Sequence, residues 1–118
     1  MTTFNLKQLI SPESVAVIGA SDKKGSVGNT IMENMVAGGF NGDIFPVNPN
    51  YDTILGWQTY PDVNHLPNNI DMAVIAIPIE SVPQVLEACA QKNIAGAVVI
   101  SSGYKSSGTL VENIAAQK

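Results

Sequence analysis

Apolar residues fall along this chain in two kinds of pattern. Four short runs are nearly continuous: 15–19 (VAVIG), 43–47 (DIFPV), 72–77 (MAVIAI) and 96–101 (GAVVIS). Unbroken, β-branched runs of this length predict strands covered on both faces, the environment of a parallel sheet. The second is the weaker strand, because Pro46 cannot donate to a ladder. Between the runs the period lengthens. Val27, Ile31 and Met35, with the neighbouring row Met32 and Val36, recur at helical spacing and stop at Gly38-Gly39. Val82, Val85, Leu86 and Cys89 follow i, i+3, i+4, i+7, with Ser81 placed as N-cap and Pro83 in the first turn. Leu110, Val111, Ile114 and Ala115 predict a third helix. Residues 48–71 contain Pro49, Pro61, Pro67 and several asparagines, and read as loop with one short helix near 62–66.

Strands alternating with helices predict an α/β domain, and right-handed crossovers then require a three-layer α/β/α arrangement around a parallel sheet. Four strands are visible. No strand follows the predicted third helix, so a fifth is expected outside the sequence. Residues 1–118 therefore read as one domain, the N-terminal part of a longer chain.

Composition narrows the function classes. The 118 residues are 45% hydrophobic and 14% charged, which suits one moderate core. Net charge is −4, and all six basic residues are lysines. Scattered lysines against ten carboxylates give no basic face, so a nucleic-acid partner is set aside. Cys89 lies in an apolar helical stripe and reads as a core residue; a single cysteine excludes an intrachain disulfide and fits a reducing cytoplasm. No run approaches the roughly 20 apolar residues that span a bilayer, and the first ten residues do not read as a signal peptide. A cytoplasmic protein with no membrane partner is expected.

In such a sheet ligands bind at the carboxyl ends of the strands. That rule selects Gly19-Ala20-Ser21 through Gly28, then Asn48-Pro49-Asn50, then Pro78-Ile79, then Ser101-Ser102-Gly103. The first carries most information. A strand runs into Gly19-Ala20-Ser21-Asp22-Lys23-Lys24-Gly25-Ser26-Val27-Gly28 and a helix follows. Free amides and the positive dipole end at a helix start favour phosphate. Ser21 and Ser26 can add hydroxyls, and Lys23 or Lys24 charge. The loop is not G-x-G-x-x-G, because Ala20-Ser21 replaces the second glycine, and it is not a P-loop, because Ser26 follows Gly25. Strand two ends Val47-Asn48-Pro49-Asn50-Tyr51, without the acid or arginine that a nicotinamide domain places there. A phosphorylated, nucleotide-like cofactor is expected, and NAD is disfavoured. His65 reads as a surface residue, Trp57 and Tyr60 as local packing, and no His/Cys cluster suits a metal. No catalytic constellation is found.

These residues closely resemble the Rossmann-like, N-terminal CoA-binding domain of the nucleoside-diphosphate-forming acyl-CoA synthetases. That family includes ADP-forming acetate–CoA ligase and, more distantly, the succinyl-CoA synthetase α subunit. The matching text is SPESVAVIGAS at 11–21, GSVG at 25–28, FPVNP at 45–49, Gly56, Tyr60-Pro61, Leu66-Pro67, DMAVIAIP at 71–78 and GAVVISSGYK at 96–105. The resemblance implies contacts to coenzyme A (CoA, or acyl-CoA) from Gly19, Ala20, Ser21, Asp22, Lys23, Lys24, Gly25, Val27 and Gly28. It implies further contacts from Val47, Asn48, Pro49 and Asn50, from Ile77 and Pro78, and from Ile100, Ser101 and Ser102. It also implies that the chain is inactive alone, its partners being the remaining domains or subunits of an acyl-CoA ligase. The phosphorylated histidine of such ligases belongs to a later domain, so His65 does not inherit that role. Asn50 and Tyr51 stand where many relatives carry a lysine, and Ser106 where relatives often carry Glu, which implies fewer charged contacts to the coenzyme's phosphates. The same module opens some protein acetyltransferases and occurs alone, so a CoA-sensing regulatory module is the alternative; an NAD(P)-binding domain ranks last.

Overall fold

The computed structural model describes residues 12–100 and the strand Thr109–Val111. The central sheet has the order β2-β1-β5-β6-β7, built from β1 (Ser14–Ile18), β2 (Asp43–Val47), β5 (Met72–Ile75), β6 (Gly96–Val99) and β7 (Thr109–Val111). The first four are parallel, and they coincide with the four apolar runs. Helix α1 (Val27–Ala37) joins β1 to β2, and α2 (Val82–Gln91) joins β5 to β6. From β1 the chain travels first to β2 on one side and later to β5 on the other, so the topological switch lies at β1.

Side-chain alternation along β1 separates two cores. Val15 and Val17 pack with Met32 of α1, Ile44 and Ile54 on one face. Ala16 and Ile18 pack with Val63, Leu66, Val82 and Cys89 on the other. A helix on each face completes the three-layer α/β/α arrangement.

Pro46 is tolerated because β2 is the edge strand. Its carbonyl accepts from the Tyr60 amide at 2.8 Å on the outer side, so its nitrogen also points outward and no bond to β1 is lost. Asn48 then donates to the Tyr60 carbonyl at 2.9 Å. The loop from 48 to 71 contains a hairpin the apolar pattern did not predict, β3 (Thr53–Ile54) with β4 (Trp57–Gln58), turned at Leu55-Gly56, both with positive φ. The expected short helix there is a 3-10 turn, Val63–His65, capped by Asp62.

The carboxyl-terminal expectations need correction. Leu110 and Val111, expected to begin a helix, lie in β7, which pairs antiparallel with β6. The fifth strand is therefore within the chain. The nine residues from 100 to 108 are too few for a crossover helix, which takes a dozen or more, so the chain returns antiparallel instead. Ile114 and Ala115 lie outside the described residues.

Candidate functional site

The turn after β1 is set by two glycines. Gly19 has φ +94°, and a Cβ there would run into the Ala76 carbonyl oxygen. A Cβ on Gly28 would strike the Gly19 carbonyl oxygen, so only glycine lets α1 open directly against the end of β1. Between them the loop is held by its own polar groups. The Ser26 hydroxyl caps α1, accepting from the Asn29 amide at 3.2 Å and donating to the Lys23 carbonyl at 2.7 Å. Asn29, 2% exposed, donates its side-chain amide to the Ser21 carbonyl at 3.1 Å. The Ser21 hydroxyl accepts from the Lys23 amide at 2.9 Å and stands 3.4 Å from the Tyr51 hydroxyl. Ser26, read from the sequence as a possible hydroxyl donor to phosphate, spends its hydroxyl on the cap and on the Lys23 carbonyl.

What remains available is backbone. Among the described residues, the amides of Asp22, Lys24, Gly25 and Val27 donate to no protein acceptor. A Cβ at Gly25 would meet nothing within 4 Å, so the main chain is open to a ligand at that position. Lys24 pairs with Glu33 at 3.2 Å across an exposed surface, a contact worth little in itself. The Lys23 ammonium has no such carboxylate partner among the described residues. Ala20 is buried, so only its main chain can face outward.

A second compartment adjoins this loop. A cavity of about 340 Å³ opens at the carboxyl ends of β1 and β2, on the α2 face. Its lining comes from the ends of β1 and β2 (Ile18, Gly19, Val47), from Pro49, Asn50, Pro61 and Val63 in the loop that follows β2, and from Ile77 and Val85. Asn48 also lines it, but its amide donates to the Ala20 carbonyl at 2.8 Å and its side-chain oxygen accepts from the Asn50 amide at 2.8 Å. Asn48 thus ties the two strand-end loops together. Asp62 completes the rim; it touches His65 Nδ1 at 2.7 Å and accepts from the His65 amide at 3.1 Å. The hydrogen bond from His65 is the main reason its carboxyl is held below the usual carboxylate range.

Of the sequence-derived site residues, Gly19, Val47, Asn48, Pro49, Asn50 and Ile77 meet at the cavity, and the loop 20–28 borders it through Gly19. Pro78 caps the 3-10 turn Ile79–Ser81, and Ile100 donates to the Ile75 carbonyl at 2.7 Å; neither lines the cavity. Ser101 and Ser102 lie outside the described residues. Sequence reasoning missed Ile18, Pro61, Asp62, Val63 and Val85. The last three come from segments remote from any strand end, so only the fold brings them there. Cys89 is fully buried, and desolvation raises its thiol to about 12, as suits a core residue. Among the described residues no group of three His, Cys, Asp or Glu can hold a metal, and no helix is long and apolar enough to cross a membrane.

An open run of amides at a helix start, next to an apolar cleft at a topological switch, defines a doubly wound domain for a phosphorylated nucleotide cofactor. The chain belongs to the CoA binding domain family, whose model matches residues 13–118, and coenzyme A is its cofactor. It is 49% identical over 107 residues to acetate–CoA ligase (ADP-forming) II of Archaeoglobus fulgidus, an alignment covering 91% of this chain and 16% of that protein. Acetyl-coenzyme A synthetase 1 of Ca. Korarchaeum cryptofilum superposes with a TM-score of 0.79 at 38% identity, covering 85% of this chain and 22% of that one. A conserved hypothetical protein from Pyrococcus furiosus superposes at 0.70 with 29% identity, covering 79% and 78% respectively. The chain thus spans about a sixth of the first relative's length.

Proposed function

We propose that this domain holds coenzyme A for an ADP-forming acyl-CoA ligase and performs no bond-making step itself. The observation that carries this reading is the set of amides at Asp22, Lys24, Gly25 and Val27, without acceptors among the described residues, beside a largely apolar cleft. The residues suit the coenzyme: amides and the Lys23 ammonium for its phosphates, apolar walls for its flat base. When bound, coenzyme A supplies the thiol that accepts an acyl group. The chain's own residues bind and orient it. The remaining loop contacts, at Ala20, Ser21, Gly28, Pro78, Ile100, Ser101 and Ser102, form part of the same reading. So do a cytoplasmic setting and the other domains or subunits of a ligase as partners, which the 49% identity to an acetate–CoA ligase supports.

Titration calorimetry with coenzyme A, dephospho-coenzyme A and NAD tests the cofactor side. Coenzyme A should bind tightest; NAD binding more tightly would reject the reading. A second reading, a free-standing CoA-binding protein, draws support from the Pyrococcus furiosus chain of comparable size. Native mass spectrometry of the protein taken from its own cells separates the two. A mass of ligase length, or an assembly with ATP-grasp subunits, favours the first; a lone 118-residue chain favours the second.

A further inference from the structure

We propose that Asp62 is a specificity residue that reads the base of the coenzyme, accepting a hydrogen bond from the exocyclic amine of adenine in the 340 Å³ cavity. This rests on the assignment of coenzyme A as the ligand.

The cavity's lining is apolar except at three side chains, Asn48, Asn50 and Asp62. Asn50 carries a neutral carboxamide that donates as well as accepts, so it does not by itself favour an amine over a carbonyl. Asn48 is spent at both ends, on the Ala20 carbonyl and the Asn50 amide. Asp62 is different. Both contacts to His65 fall on Oδ1, the Asn64 amide also bears on the carboxylate, and the side chain stays 54% exposed, so the group keeps capacity to accept a further hydrogen bond. Capping the 3-10 turn anchors the carboxylate, and the same residue lines the cavity, so an acceptor is available to a ligand there.

Charge decides what such a slot can take. A phosphate beside a carboxylate would be repelled, so the anionic part of the ligand belongs on the other side of Gly19, over the loop amides. An apolar, planar group carrying an N–H₂ donor fits the slot, and adenine is that group. A base presenting a carbonyl oxygen at the same position would set lone pair against carboxylate. An analogue that replaces the amine by a carbonyl loses a charge-assisted hydrogen bond and sets its oxygen against the carboxylate, and both effects weaken it. The amide N–H groups of the pantetheine arm are donors too, and the test must separate them from the base.

Calorimetry on the unmodified chain with coenzyme A and with its deaminated analogue, in which hypoxanthine replaces adenine, needs no variant. Coenzyme A should bind about tenfold tighter or more. The variant Asp62→Ala should weaken coenzyme A about tenfold and abolish the preference, while 4′-phosphopantetheine binds both proteins alike. Asp62→Asn, which keeps an oxygen to cap the turn, should fold normally and retain part of the preference. Equal binding of the two coenzymes by the unmodified chain overturns this inference alone. So does an equal loss of both in Asp62→Ala, or a loss of 4′-phosphopantetheine binding. Failure of the unmodified chain to bind coenzyme A at all removes the parent assignment as well.

Discussion

A methyl group is enough to disturb this site, because Gly28 lies against the Gly19 carbonyl. Gly28→Ala must push α1 away from β1, and urea unfolding should show a loss of about 1–3 kcal/mol. Gly25 makes the contrast. It has φ +87° but open space around it, so Gly25→Ala should cost only the left-handed penalty, about 1–2 kcal/mol. Equal, negligible effects at both would mean the loop is not held as described. The two lysines also part company. Lys24 is paired with Glu33 and Lys23 is not, so Lys23→Gln should weaken coenzyme A binding more than Lys24→Gln. Cys89 gives a pH signature. Its thiol ionises at about 12 in the folded chain against 9.0 ordinarily. The unfolded chain therefore loses that proton first, and stability should be unaffected below pH 9 and fall progressively as pH rises toward 12. In the native protein at pH 8, Cys89 should resist alkylation until denaturant is added.

Each element adds its own constraint on the site. Helix α1 matters through its opening: Ser26 caps it and also grips the Lys23 carbonyl, so one hydroxyl shapes both helix and loop. Ser26→Ala should cost about 1 kcal/mol of stability, seen as a lower denaturation midpoint, and should weaken coenzyme binding through the loop. The strands β1, β2, β5 and β6 and both helices were legible in the sequence, because strands buried on both faces and amphipathic helices each impose a period of their own. Pro46 weakened the β2 reading but is harmless on an edge whose outer carbonyl meets Tyr60. Ser81 stands before α2 as expected, yet makes no capping bond, because the 3-10 turn Ile79–Ser81 runs directly into the helix. The β3–β4 hairpin escaped notice, since two-residue strands carry no period. Strand β7 was misread as helix because three residues of a short return strand also suit a helical stripe.

At the scale of the whole molecule, the sheet order decides where a cleft can open. Chain reversal at β1 leaves its carboxyl end free of crossing connections, and there the loop after β1, the loop after β2 and Ile77 after β5 converge. The strand-end residues could be found in the sequence by that rule alone. Pro61, Asp62, Val63 and Val85 could not, because they reach the cavity from a loop and a helix whose approach depends on packing rather than on any local pattern. The result is one edge with two characters, bare amides on one side of Gly19 and an apolar slot on the other. Amide chemical shifts followed by NMR during titration with coenzyme A test that division most directly. The account predicts saturable shifts at Asp22, Lys24, Gly25 and Val27 together with Val47, Asn50 and Ile77. Shifts confined to the amino ends of the strands, around Glu13, Asp43 and Asp71, would contradict it.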